Sequence, residues 1–394
     1  MIKRTIYLYL FFILLSKFAI SFIAATYVIF LMSHGLDIFQ VGVVNAVFYV
    51  TLLICEIPTG VFADIFGRKI SYAFSYFLFS ASMFVYSASN SLPGFMTAEA
   101  IGAIGFTFGN GSFDAWLKDK LDFHGYEKSK LRAVFSQKSQ IGQIASGVGA
   151  LIGAFLGGFN LAFPWIASGI MFFAGGILVV LLLKEEYFDK KKVSFSESIS
   201  FTKNAIKQGF KNKVICFVVM MTLIQVFILQ APNMQWQPFF SKFVAEKSSL
   251  GYIFFGLSLA IAAGSFLSLW LLKKMKNSEK GFLVASQVLM GAGMILAGAL
   301  RIFFLCLPAF LLHEFARGLF APIKDNYINQ SIPEKTKERS TLLSIESMSH
   351  HIGGAFGLLA SGFIAKQLSI PATWIIFGGF LIIITLLISR NGKR

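Results

Sequence analysis

Gly60-Val61-Phe62-Ala63-Asp64-Ile65-Phe66-Gly67-Arg68-Lys69 is the stretch on which the reading of this chain turns. One apolar run ends in it, and another begins almost at once with Ile70. Two membrane spans are therefore expected to meet here in a hairpin carrying two glycines, one acid and two adjacent bases. Glycine lets backbones approach closely and reverse tightly. Arg68 and Lys69 place the hairpin on the cytoplasmic side, because bases accumulate in the loops that stay inside. Asp64 stands one helical turn before Arg68, at a membrane edge where an unpaired carboxylate is costly.

Composition agrees with a chain built of spans. Of 394 residues, 56% are hydrophobic, 46 are Phe and only 14% are charged, against about 25% charged in a typical soluble domain. Apolar runs of about 20 residues, the length a bilayer demands, recur along nearly the whole chain. A net charge of +16 in a soluble protein would point to nucleic acid. Here most of the bases fall in the loops of one side, so the partner is the lipid bilayer and no nucleic acid is expected. Cys55, Cys216 and Cys306 lie in or beside apolar runs without metal spacing and read as small buried side chains. Met1-Ile2-Lys3-Arg4 precedes an apolar run that extends to about Leu31, too long for a signal peptide, so it reads as the first span.

Twelve spans are expected, near 5–32, 40–63, 70–91, 94–117, 133–158, 163–184, 213–238, 248–272, 281–300, 302–323, 341–365 and 371–390. Basic loops and basic ends place both termini in the cytoplasm of a multi-pass plasma (inner) membrane protein. The one long connection contains Lys190-Lys191-Lys192, then Phe195, Ile199, Ile206 and Phe210 near helical spacing, with Ser194 and Glu197 spaced as a capping box. It reads as an amphipathic helix on the inner leaflet. The domains follow: a six-helix bundle over 1–184, a linker over 185–212 and a second bundle over 213–394. Lys118-Asp119 and Lys324-Asp325 follow the fourth and tenth spans, a weak internal repeat of the kind two related bundles leave. Where Gly60–Lys69 should recur, Leu271–Asn277 retains only positive charge.

The spacing Gly-x3-Asp-x2-Gly-Arg-Lys at 60–69 resembles the signature of the loop between the second and third spans in the major facilitator superfamily; Ile65 stands where a base often follows the acid. The resemblance implies an all-α integral membrane fold of twelve transmembrane helices in two pseudo-symmetric six-helix bundles. It also implies a central cavity among the first, fourth, seventh and tenth spans, and monomers. In the fifth span, Gly149-x3-Gly153-Ala154-x2-Gly157-Gly158 resembles the antiporter signature of the superfamily's exporters, with Ala154 in place of proline. Glycines four apart also make a groove for a neighbouring helix. Arg132 and Arg339 look like the basic helix starts of the family and join Asp64, Arg68, Asp114 and Asp119 as an expected inner gate, in which Asp64 faces the amino end of the eleventh helix and Arg68 pairs with Asp114 or Asp119.

Ionisable side chains inside spans are functional candidates by default. Lys17 lies in the first span, Glu56 in the second, Glu99 and Asp114 at either end of the fourth, His313, Glu314 and Arg317 in the tenth, and Glu346, His350 and His351 in the eleventh. A carboxylate that loads and releases a proton needs a raised affinity for it and water from alternate sides. Glu314, beside His313, and Glu56 lead for that role, with Glu99 behind them. Lys17, Arg317 and the seventh-span residues Gln225, Gln230, Asn233 and Trp236, around a helix expected to break at Pro232 and Pro238, are cavity candidates. An enzyme is disfavoured, since His313-Glu314-Phe315-Ala316-Arg317 lacks the second histidine of a zinc-protease motif and no nucleophile elbow appears. Neither metal nor cofactor is expected; the proton is the coupling ion. The combined reading is a secondary active transporter working by alternating access, a proton-coupled exporter of small drug-like molecules or metabolites. Lys17 and Arg317 keep open transport of an anionic metabolite or siderophore, and a channel or receptor is the non-transport alternative.

Overall fold

A computed structural model describes residues 2–125, 128–185, 212–274, 278–332 and 337–391. The linker helix expected in 185–212, with Lys190–Lys192, Ser194, Glu197 and its apolar stripe, lies outside the described residues. Fourteen α-helices are numbered here in chain order. The first bundle holds α1 (Ile2–Ser21), α2 (Tyr27–Ser33), α3 (Ile38–Phe66), α4 (Arg68–Ala88), α5 (Leu92–Gly109), α6 (Ser112–Phe123), α7 (Lys128–Phe159) and α8 (Phe163–Leu182). The second holds α9 (Lys213–Phe240), α10 (Leu250–Lys274), α11 (Glu279–Ala299), α12 (Phe303–Ser331), α13 (Lys337–Gln367) and α14 (Ile370–Asn391). Joining α1 to α2 and α5 to α6 gives the twelve expected spans, arranged as two six-helix bundles. As compact units, the bundles trade two short pieces across the expected boundaries. Residues 35–46 group with the second unit, and 244–255 with the first.

Nine of the described helices are apolar and long enough to cross a bilayer on those grounds alone. The third span (α4) fails that test because one face is lined with serines, and these join neighbouring helices. Ser71 donates to the Phe108 carbonyl at 2.7 Å, Ser80 to Gly169 at 2.8 Å and Ser82 to Ala98 at 2.8 Å. Such bonds and small residues hold helices together in lipid, where apolar burial gives no driving force between them. The fifth-span glycines are used in the same way. A Cβ on Gly153 would collide with the Phe22 carbonyl, and one on Gly149 would stand 2.6 Å from that of Phe18. In the second bundle, Gly264 and Gly318 meet the Phe315 and Ile261 carbonyls with equal closeness.

Helix ends follow side-chain chemistry. Asp37 and Gln40 exchange two 2.9 Å bonds as a capping box before α3. Asn212 accepts from Val214 and Ile215 to start α9. Two spans break. The first turns between Phe22 and Thr26, and the fourth at Asn110-Gly111, where Gly111 adopts φ +73°. The seventh span, expected to break, runs as one helix through Pro232 and Pro238. A proline removes one backbone donor, and the rest of the turn can persist around it.

Candidate functional site

The break in the fourth span opens into a cavity of about 320 Å³ inside the first bundle. Lys17 and Ser16 from α1, Asn110 and Asp114 from either side of the break, Lys138 from α7 and Tyr72 from α4 all line it. Lys138 Nζ sits 2.7 Å from both Asp114 oxygens, and the Tyr9 hydroxyl donates to Oδ1 at 2.5 Å. The single acid is therefore shared with one lysine. Lys17 has no acidic partner among the described residues and is exposed to the cavity, so the lining carries a net positive charge. Tyr72 stacks on Phe113 at 4.0 Å, which fixes the wall beside the break.

In the second bundle the candidates close on each other. Arg317 donates to Glu314 Oε2 at 3.3 Å and to Asn233 Oδ1 at 2.9 Å. His313 is fully buried with Nδ1 3.0 Å from the Met290 carbonyl and Nε2 3.9 Å from Glu314. Glu314, the leading candidate for proton transfer, is thus held by a permanent cation. Gln225, Gln230 and Trp236 are buried, and Gln230 bonds the Val226 carbonyl of its own helix. Glu346 pairs with Lys324. Glu56 is half-buried in α3, one turn before Thr59, whose hydroxyl bonds the Cys55 carbonyl.

The signature hairpin differs from its expected form in three ways. Its reversal is made by one residue, Gly67 at φ +102°, between the end of α3 and the start of α4. Gly60 lies within α3 with open space where a Cβ would stand, so no close approach explains it. Arg68 does not reach Asp114 or Asp119. It binds Asp64 at 2.7 Å, four residues back on the same hairpin, while Asp114 is taken by Lys138. Asp119 is exposed on α6 and makes no ion pair among the described residues. Arg132 and Arg339 fall within α7 and α13, their side chains outside the described set.

Sequence reasoning missed Glu185. Its carboxylate accepts from the backbone N–H groups of Arg68 at 2.8 Å and Lys69 at 2.9 Å, capping the amino end of α4 where helix partial charge is positive. Gly67 is required by its φ of +102°, and a Cβ there would also stand 2.6 Å from that carboxylate. The segment before it is also fixed, because Trp116 and Lys120 donate to the Lys184 carbonyl. Nothing local announces Glu185. Lys138 was visible as a charge inside the 133–158 run, and Gly109-Asn110-Gly111 as a turn signal inside the fourth.

The profile of the Major Facilitator Superfamily matches residues 9–278 and 228–391. The chain belongs to that superfamily. It is 28% identical over 378 residues to the uncharacterised MFS-type transporter YxaM of Bacillus subtilis (strain 168), covering 93% of this chain and 90% of that one. Among solved structures it resembles the nucleoside transporter NupG with a TM-score of 0.77 at 13% identity, covering 98% of each chain. It also resembles the human organic anion transporter MFSD10 (TETRAN), with a TM-score of 0.66 at 16% identity over 98% of this chain and 99% of that one. These likenesses establish the fold of a multi-pass membrane transporter.

Proposed function

We propose that the protein is a proton-coupled secondary transporter that moves small organic anions by alternating access. The observation that carries this reading is Lys17. An amine in the middle of the first span, with no acidic partner among the described residues, faces a cavity it shares with Lys138. Such a charge is expensive in a membrane unless it serves a ligand or a relay. A carboxylate or phosphate-sized head fits the 320 Å³ space and supplies the missing counter-charge, while the apolar lining from Ile13, Ile20, Phe106 and Phe172 receives the organic body. A fold shared by nucleoside and organic anion transporters leaves the substrate to the side chains of the site, and these favour an anion over a cationic drug.

Export from the cytoplasm in exchange for protons is the direction we favour, supported by the likeness of Gly149–Gly158 to the exporter signature. Basic loops on one side support placing both termini inside; a plasma-membrane location and a monomer are proposed with it from the family resemblance. The test is equilibrium binding to the purified protein, measured by thermal stabilisation with aromatic and aliphatic carboxylates, nucleosides and cationic dyes. Stabilisation by one or more carboxylates that disappears in Lys17→Met supports the reading. Stabilisation by cationic dyes alone, or equal stabilisation of both variants, contradicts it.

A further inference from the structure

Glu99 is held by phenols, where Asp114, Glu314 and Glu346 are each held by a cation. Tyr86 donates to its Oε2, the Tyr27 hydroxyl lies 3.5 Å from the same oxygen, and the two phenols are 3.1 Å apart. Trp165 stacks on Tyr86 at 4.1 Å and approaches Tyr27 at 5.6 Å. Phe30 and Phe95 complete the shell, and neither they nor Trp165 expose any surface. The Trp165 indole N–H, and the Thr26 hydroxyl at the margin, are buried without a hydrogen-bond partner among the described residues. Asp114 has Lys138, Glu314 has Arg317 and Glu346 has Lys324. Among the described residues, no lysine or arginine pairs with Glu99. The titratable groups that face it are Tyr86 from α4 and Tyr27 from α2. His34 lies just past α2, its ring 5.6 Å from Phe95 and its Nδ1 2.8 Å from the Phe30 carbonyl. From α8 comes the indole of Trp165.

We infer that Glu99 is the carboxylate that takes up and releases the coupling proton, with Tyr27 and Tyr86 as its partners in both states. The inference rests on the proton-coupled reading above and names the residue that performs it. A phenol can both donate and accept. When Glu99 is ionised, both hydroxyls can donate to it. When Glu99 is protonated, its O–H donates to one phenol oxygen, and that phenol turns its hydrogen towards the other. On uptake an O–H bond of a hydronium ion on one side breaks as the carboxylic O–H forms, leaving water; on release the carboxylic O–H breaks and a water on the other side takes the proton as hydronium. A guanidinium or ammonium has no acceptor and serves only the ionised form, so the partners that Glu314 and Asp114 have in this structure suit one protonation state, whereas those of Glu99 suit both.

The fold supplies the coupling as well. Tyr27 is the first residue of α2, immediately after the turn Phe22–Thr26 that breaks the first span. Movement of α2 about that turn would carry Tyr27 and Phe30 away from Trp165 and widen the access that the half-buried Glu99 already has. Among the described residues no cation faces the carboxylate, which disfavours its charged form; wider access to water would admit the charge. Proton occupancy and the position of α2 are thereby linked.

The test needs no substrate. Infrared difference spectra of the full-length protein in lipid vesicles, taken between mildly acidic and mildly alkaline buffer, read carboxyl protonation directly. The expected result is a carboxylic C=O band that follows the pH, is lost in Glu99→Gln, shifts in frequency in Tyr86→Phe and persists in Glu314→Gln. A band unchanged in Glu99→Gln, or one lost in Glu314→Gln instead, overturns the assignment. If Glu99→Gln fails to fold, a Tyr86→Phe spectrum identical to wild type overturns it alone. Failure of the carboxylate panel leaves this spectrum as it is, so the two readings fail separately.

Discussion

In the second bundle Arg317 reaches both Glu314 and Asn233, and His313 Nε2 stands 3.9 Å from the same acid without a hydrogen-bond partner among the described residues. In the first bundle, among the described residues, Glu99 is met by hydroxyls and Lys17 by no acid. The charges lie inside the first and fourth spans of one bundle and the tenth span of the other. The second bundle neutralises Glu314 internally; the first neutralises Asp114 through Lys138 but, among the described residues, sets no ion pair against Glu99 or Lys17. A closed network contributes to the fold; an open one is available for chemistry. On the proposed reading, the pairs of the second bundle hold the fold, and Lys17 and Glu99 of the first are the groups left for substrate and proton.

The largest effect that would break this contrast is expected at Arg317. Arg317→Met strands Glu314, a residue with 4% exposure, and should lower stability by about 3 kcal/mol. Thermal unfolding in detergent micelles measures it, and adding Glu314→Gln should restore most of the loss. A stable single variant would make the second network no tighter than the first. Next comes the hairpin, which the second bundle does not repeat. Gly67→Ala forces an alanine to φ +102° and into the Glu185 carboxylate, for an expected loss of about 2 kcal/mol. Glu185→Gln keeps an acceptor but loses the charge at the helix start, and about 1 kcal/mol with it.

A smaller effect calibrates the buried pair against an exposed one. Asp37 and Lys366 approach to 2.8 Å at side-chain exposures of 38% and 48%, and such pairs contribute under about 1 kcal/mol. Burial alone would raise the Asp37 carboxyl, but the Lys366 ammonium and the Gln40 N–H outweigh it and hold the carboxyl below its ordinary range. The stabilisation is therefore complete above the unfolded-state value of about 4 and fades as pH falls through the lowered folded value. Asp37→Asn should flatten that acid limb of the unfolding profile. Smallest of all, Lys17→Met should lower stability by no more than about 0.5 kcal/mol, because it strands no acid and removes a charge that is costly in the membrane.

The spans, their order and the superfamily were legible because apolar length and the 60–69 spacing are local properties of the chain. So was the charge inventory, from Lys17 to Arg317. Partnerships were not. Arg68 was expected to reach across to Asp114 or Asp119, yet a nearer acid four residues back satisfies it. Glu185 caps a helix over one hundred residues earlier, and no spacing rule connects the two. The break at Phe22–Thr26 contains neither glycine nor proline. What lies beside it is α7, whose Gly149 and Gly153 leave no room for a side chain against the carbonyls of Phe18 and Phe22. The prolines at 232 and 238 advertised a break that the surrounding turns do not make.

The most direct test of the account is proton movement in proteoliposomes when small organic carboxylates are added, compared between wild type and Lys17→Met. The account predicts proton flux that depends on the carboxylate in wild type and is lost in the variant, which remains folded and stable. Carboxylate-driven flux that survives Lys17→Met, or no flux with any carboxylate while cationic dyes produce it, would contradict it.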